Sequence, residues 1–253
     1  MITGAAGGIG GGLVSYFLRN GATVLASDID ENRLGYLAGD IGPDDRLHTG
    51  VADLNDAASV KHMVDTFVAA AGPVTVLINN AGAAAATALS NMTPEAWAHD
   101  LAINLTSAYN CVEAVKAGMM TAGKGVIINI GTVNGMMALG HPAYSAAKAG
   151  LISYTRSLAI EYGPLGLRAN IICPGTVRTQ AWNARAEKNP EIFTLLQKWY
   201  PLRDFPGPDD IAQAAGFLAS DAARMITGVV LPVDAGLTAG NPVMAAELTL
   251  ERF

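Results

Sequence analysis

Short runs of nearly unbroken apolar residues alternate with stretches of helical periodicity along this chain, and that alternation limits its fold more than any other feature. The runs lie at 22–27, 46–50, 74–78, 126–130, 168–173 and 229–233. A strand that is apolar on both sides must be covered on both sides, as strands of a parallel sheet are. Between the runs, Val60, Val64, Phe67 and Val68 recur at helical spacing within 57–71, and 94–117, 143–162 and 209–218 carry similar patterns. Strand–helix alternation of this kind builds βαβ units and a doubly wound α/β sheet with helices on both faces. No repeat or linker divides the 253 residues, so one domain spanning 1–253 is expected. The longest stretch without a strand pattern, 177–208, holds Pro190, Pro201, Pro206 and Pro208. An excursion of that length after a strand's C-terminal end commonly covers a site, so 178–208 is expected to be a substrate lid.

Composition removes several classes of function. Acidic residues outnumber basic ones 22 to 16, a net charge of −6, whereas phosphate-backbone binding needs clustered Lys and Arg. No nucleic-acid partner is expected. No apolar run reaches the length that spans a bilayer, and the N-terminus lacks the basic first region of a signal peptide. Two cysteines, Cys111 and Cys173, form no disulfide framework, which fits a reducing cytoplasm. No His, Cys and Asp cluster has metal-ligand spacing, so no metal is expected. With 51% hydrophobic and 15% charged residues, much surface is expected to be buried, some of it between subunits.

The opening TGAAGGIG (3–10) places Gly4, Gly8, Ile9 and Gly10 just before a helix carrying Leu13, Tyr16 and Phe17. Glycines there permit a tight turn and let backbone N–H groups approach a pyrophosphate at the helix N-terminus. An Ala/Gly-rich turn used only for close helix packing is the plain alternative. Asp28 closes the second strand run (ATVLASD). A carboxylate there bonds ribose hydroxyls and repels a 2′-phosphate, which favours NAD over NADP. No Arg or Lys between Gly4 and Leu18 neutralises such a phosphate, and Arg19 lies too far along the helix.

TGAAGGIG, NNAG (79–82), YSAAK (144–148) and PG (174–175) stand in the order found in short-chain dehydrogenases/reductases, and the chain resembles that family over nearly its whole length. The resemblance implies a single Rossmann-type domain, a nicotinamide cofactor and a homotetramer. It also implies a central strand before the glycines, although only Met1 and Ile2 precede Thr3 here. Loss of a central parallel strand would cost more than the few kcal/mol a domain can spare, so a start upstream, or a trimmed chain, is expected.

Tyr144 and Lys148, four apart, share one face of a helix. Alcohol–ketone interconversion moves a hydride and a proton together. A phenol with a pKa near 10 is a poor base at neutral pH, and a nearby cation lowers that pKa. Lys148 supplies the cation, and by resemblance holds the nicotinamide ribose. In INIGTVNG (128–135), Thr132 takes the place of the family's Ser, one residue closer to Tyr144 than expected. It keeps the hydroxyl donor and acceptor, while its extra methyl stiffens χ1 and narrows the pocket. Asn134 or a water is the alternative should that spacing turn Thr132 away. Asn104 matches the Asn that kinks its helix and relays a proton through water. Asp53 and Leu54 stand where adenine is cradled, although a plain N-cap accounts for Asp53 nearly as well. Asn80 and Ala81 are expected to pass the cofactor ribose, Val177 and Thr179 to meet the carboxamide and phosphates, and His141 to line the pocket wall.

In the lid, Asn189, Pro190 and Glu191 read as the start of a helix whose apolar stripe is Ile192, Leu195, Leu196 and Trp199. Lys and Arg outnumber Glu four to two across 180–203, and Trp182, Trp199 and Tyr200 add flat surfaces suited to a sugar or ring. The expected function is NAD-dependent interconversion of a secondary alcohol (sugar, polyol or cyclic alcohol) and its ketone. An NADPH-dependent ketone reductase is the close rival. A non-catalytic dinucleotide-binding regulator is the alternative from another class, opposed by the presence of both Tyr144 and Lys148.

Overall fold

A computed structural model describes residues 1–251. In chain order it contains β1 (Ile2–Thr3), α1 (Gly8–Arg19), β2 (Val24–Asp28), α2 (Glu31–Ile41), β3 (Leu47–Val51), α3 (Ala57–Ala71) and β4 (Val76–Asn79). There follow α4 (Pro94–Leu101), a π-helical turn (Ala102–Thr106), α5 (Ser107–Ala122), β5 (Gly125–Ile130), α6 (Pro142–Tyr162) and β6 (Leu167–Pro174). The chain continues through α7 (Gln180–Lys188), α8 (Ile192–Gln197), α9 (Pro208–Ala219), β7 (Val230–Val233) and α10 (Pro242–Thr249).

All seven strands are parallel, in the order β3-β2-β1-β4-β5-β6-β7. Both faces are covered, as the apolar runs require. Leu13, Val14 and Leu18 of α1, Leu34 of α2 and Ile211, Ala215 and Leu218 of α9 meet alternate strand residues such as Ile128 and Ile130 on one face. On the other, Val60, Met63, Val64 and Phe67 of α3 and Val112, Val115 and Met119 of α5 meet Leu77 and Ile127. Val68, expected inside, is 39% exposed, and Met63 holds its place in the core.

The central strand is short. Ile2 pairs with Ala26 on one side and Ile78 on the other, and a cavity of about 230 Å³ lies beside it, lined by Met1, Phe17, Val24, Phe67 and Val76 among others. Strand order reverses between β1 and β4, so the connections after those strands diverge and leave a crevice at their C-terminal ends. The single helix expected over 94–117 is two helices joined by the π-helical turn around Asn104.

Candidate active site

The crevice is a cleft of about 640 Å³. At one end lies the turn between β1 and α1. Gly4 has φ +59, and a Cβ there would stand 2.8 Å from Ala81 Cα; a Cβ on Gly10 would overlap the Gly4 carbonyl. Helix α1 starts after Gly7 with no side-chain cap and no acid in its first turn. Its first N–H groups therefore have no intrahelical or side-chain acceptor, the arrangement that receives an anion. Gly4, Gly8, Ile9, Gly10, Asp28, Asp53, Leu54, Asn80, Ala81, Val177 and Thr179 all line the cleft. Asn80 Nδ2 donates to Thr3 O and Gly4 O at 3.0 Å each, tying β4 to the glycine turn. Asp53 does not cap the next helix. Asp56 does so, accepting from Ala58 N at 2.9 Å.

Half-buried Asp28 is held by backbone. Ala6 N donates to its Oδ2 at 3.1 Å and Asp30 N to its Oδ1 at 3.3 Å. Beside it, Arg33 lines the cleft from α2 and donates from Nη2 to Ala6 O at 2.8 Å. Sequence reasoning sought a cation only in the glycine turn and α1, and so missed this one. The signal was present. Asp30 caps α2 by accepting from Arg33 N at 3.1 Å, which puts Arg33 in the first helical turn, facing back towards the glycines.

At the other end stand Thr132, Tyr144 and Lys148. Helix α6 begins after His141, whose backbone is left-handed (φ 52), with Pro142 in its first turn. Lys148 is 3% exposed and donates from Nζ to Ile130 O at 2.8 Å, with Nζ 5.8 Å from the Tyr144 ring centre. Burial lowers the Lys148 pKa to about 8 and raises that of Tyr144 to about 12. The expectation that Lys148 depresses the phenol is therefore not met in this state. Desolvation dominates both groups, and the group that pulls the phenol back down is the neighbouring Thr132 hydroxyl. Thr132 thus faces Tyr144 despite the short spacing. It is 8% exposed, and Asn134 N donates to its Oγ1 at 3.3 Å.

Asn104 sits in the π-helical turn with Nδ2 donating to Ala83 O at 2.7 Å and Asp100 O at 2.8 Å. These bonds aim its buried Oδ1, which has no partner among the described residues, at Gly82. A Cβ on Gly82 would lie 2.5 Å from that oxygen and 3.3 Å from Lys148 Nζ, so the two polar atoms converge on one spot. Asn134 and His141 are close by but do not line the cleft. Asn134 reaches the carbonyls of Leu139 and Gly140 at 3.5 and 3.4 Å, and the His141 ring lies edge-on to Tyr144 at 6.3 Å.

Between β6 and α9 the chain makes α7 and α8, and Trp182 of α7 lines the cleft. A row of rings runs from Trp182 to Phe193 (6.0 Å), Phe205 (5.3 Å) and Tyr200 (4.7 Å). The Tyr200 hydroxyl donates to Thr176 Oγ1 at 2.7 Å. Arg178 lies over Phe193 and Phe205 and pairs with Asp204 at 2.6 Å. Two expectations fail here. Asn189 is not the N-cap of α8, which starts after Glu191 without a side-chain cap. Leu195 is 51% exposed while Phe193 packs inward, because the row of rings offers more apolar contact than the aliphatic stripe.

The family model described as enoyl-(acyl carrier protein) reductase matches residues 4–238. A crystal structure of an oxidoreductase of the short-chain dehydrogenase/reductase family from Burkholderia thailandensis is similar over 100% of this chain and 97% of that one, with 56% identity and a TM-score of 0.95. An uncharacterized oxidoreductase of Schizosaccharomyces pombe is 40% identical over 253 residues, 99% of this chain and 95% of the other. D-threitol dehydrogenase of Mycolicibacterium smegmatis is 38% identical over 240 residues, 94% and 92% of the two.

Proposed function

This chain belongs to the short-chain dehydrogenase/reductase family, and from that premise we propose that it is an NAD-dependent dehydrogenase interconverting a secondary alcohol and its ketone. Sugars, polyols and cyclic alcohols are the substrate class. Its family is one of oxidoreductases that use nicotinamide dinucleotides, and Tyr144 beside Thr132 over a buried Lys148 is the observation that carries the reading. The similarity to a D-threitol dehydrogenase supports a polyol or a related alcohol.

The residues present fit the cofactor. The uncapped start of α1 and the close approach at Gly4 and Gly10 suit a pyrophosphate, Asp28 suits ribose hydroxyls, and Asp53 and Leu54 flank the adenine. Asn80, Ala81, Tyr144 and Lys148 serve the second ribose, with Val177 and Thr179 at the carboxamide and phosphates. When bound, the nicotinamide supplies the hydride acceptor or donor. The chain handles the proton and the geometry. Thr132 Oγ1 hydrogen-bonds the substrate oxygen and fixes the carbon's approach. Tyr144 Oη takes the hydroxyl proton during oxidation and returns it during reduction.

With a pKa near 12 in the cofactor-free protein, the phenol starts protonated, ready to donate to a ketone. Acting as a base requires positive charge beyond that of Lys148, of the kind an oxidised nicotinamide would supply when bound. Asn104 Oδ1 and Lys148 Nζ, converging near Gly82, pass the proton on through a bridging water.

Residues 178–208 act as the substrate lid, with Trp182 as its inner wall, while Asn134 and His141 stand behind Thr132 and Tyr144. Exposed Trp97, Tyr109 and Ile160 leave apolar surface on α4, α5 and α6 that suits a homotetramer. Unpaired, buried Cys111 and Cys173 suit the cytoplasm, and no helix among the described residues is long and apolar enough to cross a membrane. The test is a panel of polyols, sugars and cyclic alcohols with NAD⁺ and NADP⁺, followed by absorbance of the reduced cofactor. The reading expects oxidation of a secondary alcohol, faster with NAD⁺. Reduction of carbon–carbon double bonds with no alcohol oxidised would overturn it.

A further inference from the structure

We propose that Arg33 is a second determinant of cofactor choice, giving this chain measurable affinity for 2′-phosphorylated dinucleotides despite Asp28. The inference rests on the NAD-dependent reading above and concerns the same adenosine pocket. Asp28 and Arg33 grip one residue of the glycine turn from its two polar ends: Ala6 N donates to Asp28 Oδ2 at 3.1 Å, and Ala6 O accepts from Arg33 Nη2 at 2.8 Å. That shared anchor holds an exposed guanidinium at the rim of the cleft, beside a half-buried carboxylate. No carboxylate pairs with Arg33 among the described residues. A guanidinium presents five donors, and among the described residues only Nη2 has a partner.

A phosphate placed near Asp28 alone would meet uncompensated repulsion. Here the corner holds one carboxylate and one guanidinium, and two of the carboxylate's lone pairs already accept backbone N–H groups. Arg33 forms charge-assisted, potentially bidentate bonds to a phosphate, whereas uncharged ribose hydroxyls gain far less from it. Removing Arg33 therefore weakens 2′-phosphorylated ligands selectively.

The test is calorimetric titration of the whole protein and its Arg33→Ala and Arg33→Lys variants with NAD⁺, NADP⁺, adenosine 2′,5′-bisphosphate and AMP. Arg33→Ala is expected to weaken NADP⁺ and the bisphosphate about tenfold, the scale of one hydrogen bond to a charged group. NAD⁺ and AMP should change by less than about twofold. Arg33→Lys should fall between, keeping charge but losing the fork. The loss on Arg33→Ala should shrink as salt is raised, because the group is exposed. Equal weakening of all four ligands would mean that the guanidinium merely covers the adenine and would overturn the proposal, as would no change in any. Wild-type protein binding NADP⁺ more tightly than NAD⁺ would instead overturn the NAD preference, while a tenfold shift in the ratio would still support Arg33.

Discussion

The two ends of the cleft are built differently. At the proposed catalytic end, Lys148 and Thr132 are almost entirely enclosed, and burial governs the protonation of Tyr144 and Lys148. At the proposed adenosine end, Asp28 is half-buried, Arg33 is exposed, and both are held by backbone groups of the glycine turn. In low dielectric a single proton or hydroxyl is worth several kcal/mol, whereas near water the same charge is screened. The buried end should thus decide whether reaction occurs, and the exposed end which dinucleotide is held.

Removing the Tyr144 hydroxyl should have the largest effect. Tyr144→Phe keeps volume and ring contacts, so turnover should fall by about 10²–10⁴-fold, the range for a general acid–base group. Lys148 sharpens the contrast through stability. Its folded pKa of about 8 lies below the ordinary lysine value of 10.5, so between those values the unfolded chain binds more protons and stability rises with pH. Below about pH 8 the cost of the buried ammonium is constant. Denaturant unfolding at pH 8 and pH 10 should show a gain of order 1–3 kcal/mol in the wild type and little in Lys148→Met, which should also lose turnover. Equal slopes in the two proteins would mean that Lys148 is hydrated in solution.

Thr132→Val tests the hydroxyl rather than the packing, since the two side chains match in shape. A fall in kcat/KM of about 10- to 1000-fold is expected, or about 1.4–4 kcal/mol. Thr132→Ser should keep most activity. Unchanged activity in the Val variant would make Thr132 structural, and Asn134→Ala would then be the variant to lose activity. The smallest effect belongs to the exposed end: Asp28→Ala should narrow the NAD⁺ over NADP⁺ preference about tenfold with turnover nearly unchanged, read from dissociation constants for both.

The buried end was also the more legible in sequence. Apolar strands such as β5 announce themselves because both faces are covered, and α3 carries its own 3.6-residue period, although its cap is Asp56 and not Asp53. Tyr144 and Lys148 were readable because their spacing is set within one helix. What the sequence concealed depends on distant packing. Arg33 reaches the cleft only because α2 starts beside the glycine turn. Phe193 turns inward only because Phe205 and Trp182 wait for it from other segments. The phenol's raised pKa reflects its desolvation in the folded chain, which spacing alone does not reveal.

One measurement addresses the contrast between the two ends directly: turnover and the dissociation constants of NAD⁺ and NADP⁺, taken together on Tyr144→Phe and Asp28→Ala. The account predicts a crossed outcome. Tyr144→Phe loses turnover while its preference between NAD⁺ and NADP⁺ stays near wild type, and Asp28→Ala keeps turnover while its cofactor preference moves. Near-normal turnover in Tyr144→Phe would contradict the assignment of the chemistry to the buried end.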